Sequence, residues 1–295
     1  MVVQEQAHPG VGRTQEFEYQ VAGHPGVLVV EGNDMIIKPL NQREKQFYEG
    51  ASPHPGFKSF MPVYYGTLQR AAPDGDAASV NEYICLENLV HGFDDPCVID
   101  IKIGSRLHDI DATDEKRKRM EEKAERTTSK RLGITIVGMK LHGQSVKERD
   151  WCRDLTEETI VDAIAHYFSA AAESVSAGYR DYLVWQFITE ATEYLEEIEQ
   201  AEVRMYSSSL LLVYDANKAK YERLFPVDGD GNRKTRGFAD RDCGSDDGED
   251  VTDISLLDMK AIDFAHSHWV PGQGPDELYI AGIRKLIEIL HSLLA

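Results

Sequence analysis

The 295-residue sequence lacks long apolar runs, clustered cysteines and an excess of basic residues. A membrane-spanning helix needs about 20 consecutive apolar residues, and no run approaches that length. The four cysteines form no C-x-x-C pair, which argues against a structural zinc site and favours a reducing compartment. Lys and Arg total 32 against 51 Asp and Glu, and the resulting net charge of −19 disfavours duplex DNA or an anionic membrane as the main partner.

Several well-known catalytic motifs are also missing. The sequence contains no G-x-x-x-x-G-K-[ST] phosphate loop, no G-x-G-x-x-G loop after a strand, no H-E-x-x-H zinc motif and no G-x-S-x-G nucleophile turn. An H-R-D catalytic loop is absent too, which disfavours an ordinary protein kinase. The segment 228–232 begins like an EF-hand calcium loop, but Arg233 and Ala239 replace the required Gly and Glu, so a turn is predicted.

Hydrophobic periodicity predicts a mixed α+β chain with strands dominating before about residue 105. The predicted strands are 27–30, 35–38, 60–68, 82–89, 98–103, 133–141, 206–214 and 255–264, and the predicted helices are 41–50, 114–126, 157–177, 181–204 and 279–294. This order suggests a smaller N-terminal lobe at 1–95, a larger C-terminal lobe at 96–295, and a crevice between them. A stretch rich in Asp, Gly and Ser predicts a flexible acidic loop at about 226–253.

Charge is concentrated in one part of the chain. Residues 102–140 contain eleven basic and seven acidic side chains, a net of +4 that leaves −23 for the remainder. A basic stretch in an acidic protein can hold a polyanion. A solvated helix of mixed charge explains the count equally well, so charge alone does not decide between the two.

Two strand ends carry residues suited to nucleotide chemistry. Lys38 ends an apolar strand and Glu44 follows on a helix, the arrangement by which a kinase lobe places a lysine on nucleotide phosphates. A surface lysine with an unrelated glutamate is the plainer interpretation. Asp263 also emerges from an apolar strand and precedes Phe264, which parallels the Asp-Phe-Gly turn that binds Mg²⁺.

The segment Pro96–Gly104 gives the sharpest signal. Asp100 and Lys102 stand two residues apart on a predicted strand and therefore share one face, opposite three isoleucines. The carboxylate can accept sugar hydroxyls or orient a nucleophilic hydroxyl, and the ammonium can neutralise a transferring phosphoryl group. A structural salt bridge is the alternative. His266 and His268, spaced H-x-H without a third ligand nearby, suit a phosphate or hydroxyl contact better than a metal.

Taken together, these segments resemble the inositol polyphosphate kinase family, most closely its multikinase branch. The chain carries P-x-x-x-D-x-K-x-G as Pro96, Asp100, Lys102 and Gly104, S-S-L-L as Ser208–Leu211, and I-D-F-A-H as Ile262–His266. The resemblance implies an α+β, two-lobed, protein-kinase-like fold with antiparallel sheets in both lobes and inserted substrate-binding helices. It also implies ATP-dependent, Mg²⁺-assisted phosphorylation of soluble inositol polyphosphates.

The resemblance also assigns roles to individual positions. Lys38 would contact nucleotide phosphates with Glu44 as its partner, Glu87 and Leu89 would hold adenine through their backbone, and Asp100 would bind the ribose. Asp263 would hold Mg²⁺, with Ser209 close to the metal. Lys102 would meet both the substrate and the phosphoryl group in transit. The inositol phosphates would face Lys116, Arg119 and Lys123 on the predicted helix at 113–126, together with His266. This ribose role displaces a base role for Asp100, and the general base stays unassigned.

Two other functions remain open from the sequence. The chain could be an inositol hexakisphosphate kinase that makes pyrophosphates, or a scaffold that regulates transcription through partners bound at the acidic loop. The first twelve residues lack the pattern of a secretion signal, and a nuclear and cytoplasmic location is expected. A monomer that binds soluble inositol polyphosphates, without direct DNA binding or a membrane span, is the expected state.

Overall fold

The computed structural model describes residues 13–22, 26–30, 32, 34–71, 80–147, 149–225 and 255–295. The predicted acidic loop at 226–253 lies outside these ranges. Among the described residues, no helix combines the length and apolar character that crossing a membrane requires. The described chain forms two main antiparallel sheets with helices packed around the second, which confirms the predicted α+β class.

The first sheet has five antiparallel strands in the order β1-β2-β3-β5-β4. Its strands are β1 (Thr14–Glu16), β2 (Leu28–Val30), β3 (Met35–Pro39), β4 (Tyr64–Ala71) and β5 (Val80–Glu87). Helices α1 (Gln42–Gly50) and α2 (Pro55–Ser59) connect β3 to β4. Asn41 starts α1 because its side-chain oxygen accepts hydrogen bonds from the N–H groups of Arg43 and Glu44, at 3.0 and 3.3 Å.

The second sheet brings the three sequence motifs together. Its antiparallel strands follow the order β10-β9-β6-β7, with β6 (Pro96–Ile103), β7 (Ile134–Lys140), β9 (Ser209–Asp215) and β10 (Leu257–Ile262). Lys102 lies opposite Ser209, and Ser209 lies opposite Ile262, the residue before Asp263. The end of β6, the start of β9 and the end of β10 therefore meet at the same end of the sheet.

The remaining elements surround this sheet. A two-stranded sheet pairs β8 (Val203–Met205) with β11 (Ser267–Trp269). The helices are α3 (Asp114–Arg126), α4 (Ser129–Leu132), α5 (Arg149–Arg153), α6 (Ile160–Tyr167), α7 (Ser169–Ser174), α8 (Ala177–Gln200), α9 (Lys218–Leu224) and α10 (Glu277–Ser292). Helix α3 falls at the predicted position, and its N-cap Thr113 accepts a hydrogen bond from the Lys116 N–H at 3.2 Å.

The single helix predicted at 157–177 is wrong, because the structure divides it into α6 and α7 around Phe168. The Tyr167 carbonyl, which a continuous helix would use, accepts a hydrogen bond from the Tyr214 hydroxyl at 2.6 Å. The next predicted helix, 181–204, is shifted. Ser176 caps α8, which begins at Ala177, four residues before the predicted start, and Val203 already pairs with Trp269 in the small sheet.

Two left-handed residues shorten predicted strands. Ser207 has φ 58° and precedes β9, so the strand predicted from residue 206 begins only at Ser209. Asp263 has φ 64° and ends β10 at Ile262, two residues before the predicted end. Side chains with a Cβ rarely adopt this conformation, although Asp tolerates it better than most. The two turns lie at the same end of the sheet, because Ser209 and Ile262 are direct partners.

An aromatic stack joins helix α1 to the second half of the molecule. The Phe47 ring lies between Phe264 and Trp269, with centroid distances of 4.7 and 4.9 Å. The Trp269 indole N–H donates to the Phe47 carbonyl at 3.0 Å, and Tyr48 packs edge-on against Phe264 at 5.2 Å. Each such pair adds about 0.5–1.5 kcal/mol beyond simple burial. Glu44, one turn earlier on α1, is thereby held close to the Asp263 turn.

Two helical glycines should respond in opposite ways to alanine. A Cβ on Gly282, in α10, would stand 2.3 Å from the Gly133 carbonyl oxygen and 3.0 Å from the Gly104 nitrogen, so Gly282→Ala should destabilise the fold by about 1–3 kcal/mol. A Cβ on Gly178, in α8, meets nothing within 4 Å, so Gly178→Ala should stabilise by up to about 1 kcal/mol. Denaturant unfolding of both variants measures the difference, and equal effects would show that α10 does not need its close approach.

Candidate active site

A cleft opens between the two sheets. Its walls are mainly apolar, which suits a flat aromatic ring. The apolar lining residues include Val27, Ile36, Leu86, Leu89, Val90, Val98, Leu211 and Ile262. Charged side chains gather in the same cleft, namely Lys38, Glu44, Glu87, Asp100 and Asp263. Six residues singled out by the sequence therefore line one cavity.

Lys38 forms the centre of the charged group. Its Nζ lies 2.9 Å from Glu44 Oε1 and 2.8 Å from Asp263 Oδ1, so one ammonium bridges a helix of the first half and a turn of the second. Burial by itself would lower the pKa of Lys38, but Asp263 and Glu44 outweigh it and raise that pKa above its usual value. The side chain is therefore a fixed positive charge.

Glu44 and Asp263 differ in their surroundings. The Glu44 side chain is 1% exposed, and burial raises its pKa although Lys38 opposes the shift. The Asp263 side chain is 32% exposed and projects from the left-handed turn after β10. Left-handed backbone at a non-glycine residue costs about 1 kcal/mol or more and is concentrated at functional sites. Glu44 holds the lysine from the buried side, whereas Asp263 remains accessible to a ligand.

Asp100 is buried beside this group, with 3% of its surface exposed. Burial is the main cause that raises its pKa to about 6, and the nearby Asp263 adds to it, while Lys102 and Lys38 act in the opposite direction. A carboxyl that deep normally has its hydrogen bonds satisfied.

Among the described residues, three buried oxygens near the cleft make no hydrogen bond of good geometry, although Ser209 lies close enough to Asp100 to lower the pKa of that carboxyl. They are Glu44 Oε2, Asp100 Oδ1 and Ser209 Oγ. Leaving a buried polar atom unsatisfied costs about 1–3 kcal/mol. Three such atoms, on one helix and two neighbouring strands, therefore indicate a site that a polar ligand completes. Hydroxyl donors or a hard cation match these acceptors, because the atoms are carboxylate and hydroxyl oxygens.

Glu87 and Leu89 lie at the cleft wall where the first sheet passes toward the second. The Glu87 N–H donates to the Val63 carbonyl, and the Glu87 carboxylate accepts from the Val63 N–H, both at 2.9 Å. The backbone N–H of Glu87 is thus engaged within the protein. A backbone contact from Glu87 to a bound ring would use its carbonyl.

Lys102 lies outside the lining of the cleft, two residues beyond Asp100 on β6. Its ammonium donates to the carbonyl of Ser207, the left-handed residue before β9. The Ser207 hydroxyl in turn donates to the Leu107 carbonyl at 2.9 Å. Lys102 is therefore held at the edge of the cleft, on the side from which helix α3 is reached.

The predicted substrate helix is in place but separate from the cleft. Lys116 is half-buried, Arg119 and Lys123 are exposed, and of the thirteen residues of α3 only Ala124 is buried. None of the three cations lines the cavity. His266 lies on the short 3-10 turn after Asp263, with 32% of its side chain exposed. The cleft and the basic helix therefore form two regions, and Lys102 and His266 follow the cleft residues Asp100 and Asp263 in sequence.

Sequence reasoning missed Asp109, which lies in the loop between β6 and α3. Its carboxylate accepts from His266, His268 and Arg43. Burial would raise the pKa of Asp109, but the hydrogen bonds from the two histidines hold it below the ordinary value. The H-x-H spacing was a usable signal, since His266 at the end of the 3-10 turn and His268 on β11 share one acceptor.

The N-terminal segment was also missed as part of the cavity. Phe17, Tyr19 and Val21 line the cleft, and the Lys140 ammonium holds this segment by pairing with Glu18 at 2.6 Å. Val21 packs on the second sheet where Gly138 leaves room, because a Cβ there would stand 2.0 Å from the Val21 carbonyl oxygen.

Comparison with known proteins identifies the family. A sequence profile described as inositol polyphosphate kinase matches residues 83–291. The chain belongs to the inositol polyphosphate kinase family. This family relationship confirms the resemblance seen in the three motifs, and all three motifs lie within the matched range.

Relatives extend the match over nearly the whole chain. An inositol polyphosphate multikinase of Saccharomyces cerevisiae is 30% identical over 353 residues, covering 95% of this chain and 98% of the relative. That of Schizosaccharomyces pombe is 28% identical over 293 residues, covering 94% and 97%. A crystal structure of the Saccharomyces cerevisiae enzyme with ADP and Mn²⁺ superposes with a TM-score of 0.71 at 31% identity, covering 89% of this chain and all of that one. The kinase-like fold of the family member is thus confirmed.

The raised pKa of Asp100 gives a test of the buried site without any ligand. The folded state keeps the proton up to about pH 6, whereas the ordinary value is 3.8. The stability from protonated Asp100 is therefore complete below the lower value and is lost as pH rises through the higher one. Asp100→Asn, which stays neutral, should be more stable than wild type near neutral pH by about 1–3 kcal/mol.

Denaturant unfolding over a pH series measures this difference in the nucleotide-free protein. The advantage of Asp100→Asn should shrink toward about pH 4, where both side chains are neutral. A difference that stays constant with pH, or a variant less stable at every pH, would contradict the assignment of Asp100 as a destabilising buried carboxylate.

Proposed function

We propose that this chain is an ATP-dependent kinase that phosphorylates hydroxyls of soluble inositol polyphosphates, converting the trisphosphate to tetrakis- and pentakisphosphates. The observation that carries the proposal is Lys38, bridged to Glu44 and Asp263 at 2.9 and 2.8 Å in an apolar cleft. That arrangement is the one by which kinases hold nucleotide phosphates beside a metal-binding carboxylate. It occurs in a member of the inositol polyphosphate kinase family.

The residues of the cleft fit ATP and a divalent cation. The Saccharomyces cerevisiae structure contains ADP and Mn²⁺. Here Lys38 would contact the phosphates, Asp100 would accept the ribose hydroxyls, and adenine would lie against Glu87 and Leu89. Asp263 would hold the cation, with Ser209 nearby. The unsatisfied oxygens of Asp100 and Ser209 support this assignment, since oxygen atoms are the ligands and acceptors that such groups need. Bound Mg²⁺ would neutralise charge on the phosphates.

A second set of residues suits the inositol phosphate. Lys116, Arg119 and Lys123 are spaced i, i+3 and i+7, which places them on one face of α3. Arg119 can bind a phosphate through two parallel N–H bonds, which a lysine cannot do. Together with Lys102 and His266 they would give a polyanion several cationic or hydrogen-bonding groups in a chain whose net charge is −19.

The reaction follows from these positions. A ring hydroxyl attacks the γ-phosphorus in line with the departing ADP oxygen, and charge develops on the transferring group. Lys38 is fixed at the nucleotide side by two carboxylates, and Lys102 stands at the edge between the cleft and α3. Both ammonium groups then stabilise charge without having to rearrange, which is the main source of electrostatic catalysis.

A monomeric state, partners recruited by the acidic segment at 226–253, and a location in nucleus and cytoplasm are all proposed. The division at residue 95 also stays a prediction. Synthesis of pyrophosphates from the hexakisphosphate is the competing activity, and a scaffold without turnover is the competing function.

Asp263→Asn should abolish turnover while leaving the fold intact. Asn tolerates the left-handed backbone of this position, so the turn at φ 64° is kept. The loss of the carboxylate removes the cation ligand and the second partner of Lys38, and kcat should fall by about 100-fold or more. Activity is measured as phosphate transfer from Mg-ATP to inositol 1,4,5-trisphosphate, with thermal unfolding as the check on folding. Turnover within a few-fold of wild type would refute the role of Asp263.

A panel from the trisphosphate to the hexakisphosphate distinguishes the competing activities in the same assay. Tetrakis- and pentakisphosphate products support the proposal. Pyrophosphate products from the hexakisphosphate alone would favour the competing kinase, and no transfer to any member would favour the scaffold.

Helix α3 should affect the inositol phosphate more than the nucleotide. Arg119→Ala and Lys123→Ala should raise KM for the inositol phosphate while KM for ATP stays within about two-fold, because each removes a contact worth about 1–3 kcal/mol to a charged group. Arg117→Ala and Lys118→Ala are matched controls on the other faces of the helix and should change neither constant. Equal effects on both substrates would mean that α3 does not form the substrate wall.

A further inference from the structure

Asp109 gathers three cationic or hydrogen-bond-donating side chains from different elements. Its side chain is 1% exposed. Oδ2 accepts from Arg43 Nη1 at 2.6 Å and from His266 Nδ1 at 3.0 Å, while Oδ1 accepts from His268 Nε2 at 2.8 Å. Oδ1 also accepts from the Ile110 N–H at 2.7 Å. Each carboxylate oxygen thus has two partners.

We propose that Asp109 is a positioning residue for the inositol phosphate, acting through His266 and through the basic helix α3. The inference rests on the proposed function and deepens it. Asp109 does not line the nucleotide cleft, and it is not the carboxylate proposed to hold the cation. Substitution of Asp109 should therefore change KM for the inositol phosphate more than KM for ATP.

The hydrogen bond to Asp109 fixes the tautomer of His266. A carboxylate accepts but cannot donate, so the His266 Nδ1 bound to Asp109 carries the proton. The partner of one ring nitrogen decides the state of the other. Within the described ranges no hydrogen bond is recorded for Nε2 of His266, and about a third of the side chain is exposed. Asp109 therefore holds the ring in one orientation and leaves Nε2 for a ligand.

The loop that contains Asp109 positions helix α3. Only Ala124 of this helix is buried, so packing of the helix itself does little to fix it against the protein. The loop that leads into it is anchored instead, because Asp109 lies five residues before Asp114 and is bound to the strand and turn after Asp263. Fixing this loop sets the distance between the cations of α3 and the phosphoryl-transfer site.

Arg43, on α1 in the first half of the molecule, also binds Asp109. It pairs with Asp109 and with the exposed Asp111, and it is adjacent in sequence to Glu44, the partner of Lys38. Asp109 therefore joins α1, the Asp263 turn and the entrance to α3 at one buried carboxylate. Removing its charge while keeping its shape should loosen all three connections on the substrate side.

Asp109→Asn is the test, with Asp111→Asn as the matched control. Asp111 shares Arg43 but is not a recorded partner of either histidine. Loss of a positioning partner typically reduces activity by roughly 10–100-fold. We expect Asp109→Asn to raise KM for inositol 1,4,5-trisphosphate by about 10-fold or more, with KM for ATP within about two-fold. Asp111→Asn should leave both within about two-fold of wild type.

Two further measurements distinguish positioning from general damage. In a His266→Ala background, the effect of Asp109→Asn on KM should be clearly smaller, since part of it acts through the missing ring. A long-range proton–nitrogen correlation spectrum of histidine-labelled protein should show His266 with the proton on Nδ1 in wild type, and a changed ring state in Asp109→Asn. This spectrum needs no turnover, so it stays informative even if the kinase assignment fails.

Several outcomes would overturn the proposal. Equal increases of KM for both substrates would mean that Asp109 only supports the fold. An unchanged penalty in the His266→Ala background, together with an unaltered spectrum of His266, would show that the ring does not depend on Asp109. If Asp109→Asn fails to fold, Arg43→Lys and the wild-type spectrum still test the claim, because a proton on Nε2 of His266 would contradict it.

Discussion

The ammonium of Lys38, held between Glu44 and Asp263, is the interaction on which the site depends. It joins a helix of the first half to a turn of the second, and it is reinforced by the stack of Phe47 with Phe264 and Trp269. A buried charge is stable only when it is paired, so the two carboxylates and the lysine require one another. Their arrangement creates a cleft with a fixed positive charge and one accessible carboxylate, which is what a nucleotide with its metal requires.

The structure separates nucleotide recognition from recognition of the second substrate. The cleft is mainly apolar-walled, and some of its buried polar atoms are unsatisfied. The basic helix is exposed and depends on its leading loop for position. A polyphosphorylated ring is strongly hydrated and highly charged, so an open, cationic wall suits it better than a closed pocket. Lys102 and His266 lie where the two regions meet, and Asp109 connects that junction to the fold.

Much of the site could be predicted from the sequence because its residues stand in short, ordered motifs at strand ends. Asp100 and Lys102 alternate with buried isoleucines, and Asp263 ends an apolar strand, so local pattern alone identifies them. The N-terminal wall around Phe17–Val21 and the role of Asp109 could not be found this way, because they depend on contacts between segments distant in sequence. The division between α6 and α7 failed to appear for the same reason, since it depends on the hydroxyl of Tyr214.

We propose that one nucleotide and its cation occupy the space enclosed by Lys38, Asp100 and Asp263. The most direct measurement is a crystal structure of the protein with a non-hydrolysable ATP analogue and Mn²⁺, in which anomalous scattering locates the metal. We expect the metal to be coordinated by the Asp263 carboxylate, the phosphates to contact Lys38 and the ribose to contact Asp100. A nucleotide bound elsewhere, or a metal peak away from Asp263, would contradict this arrangement.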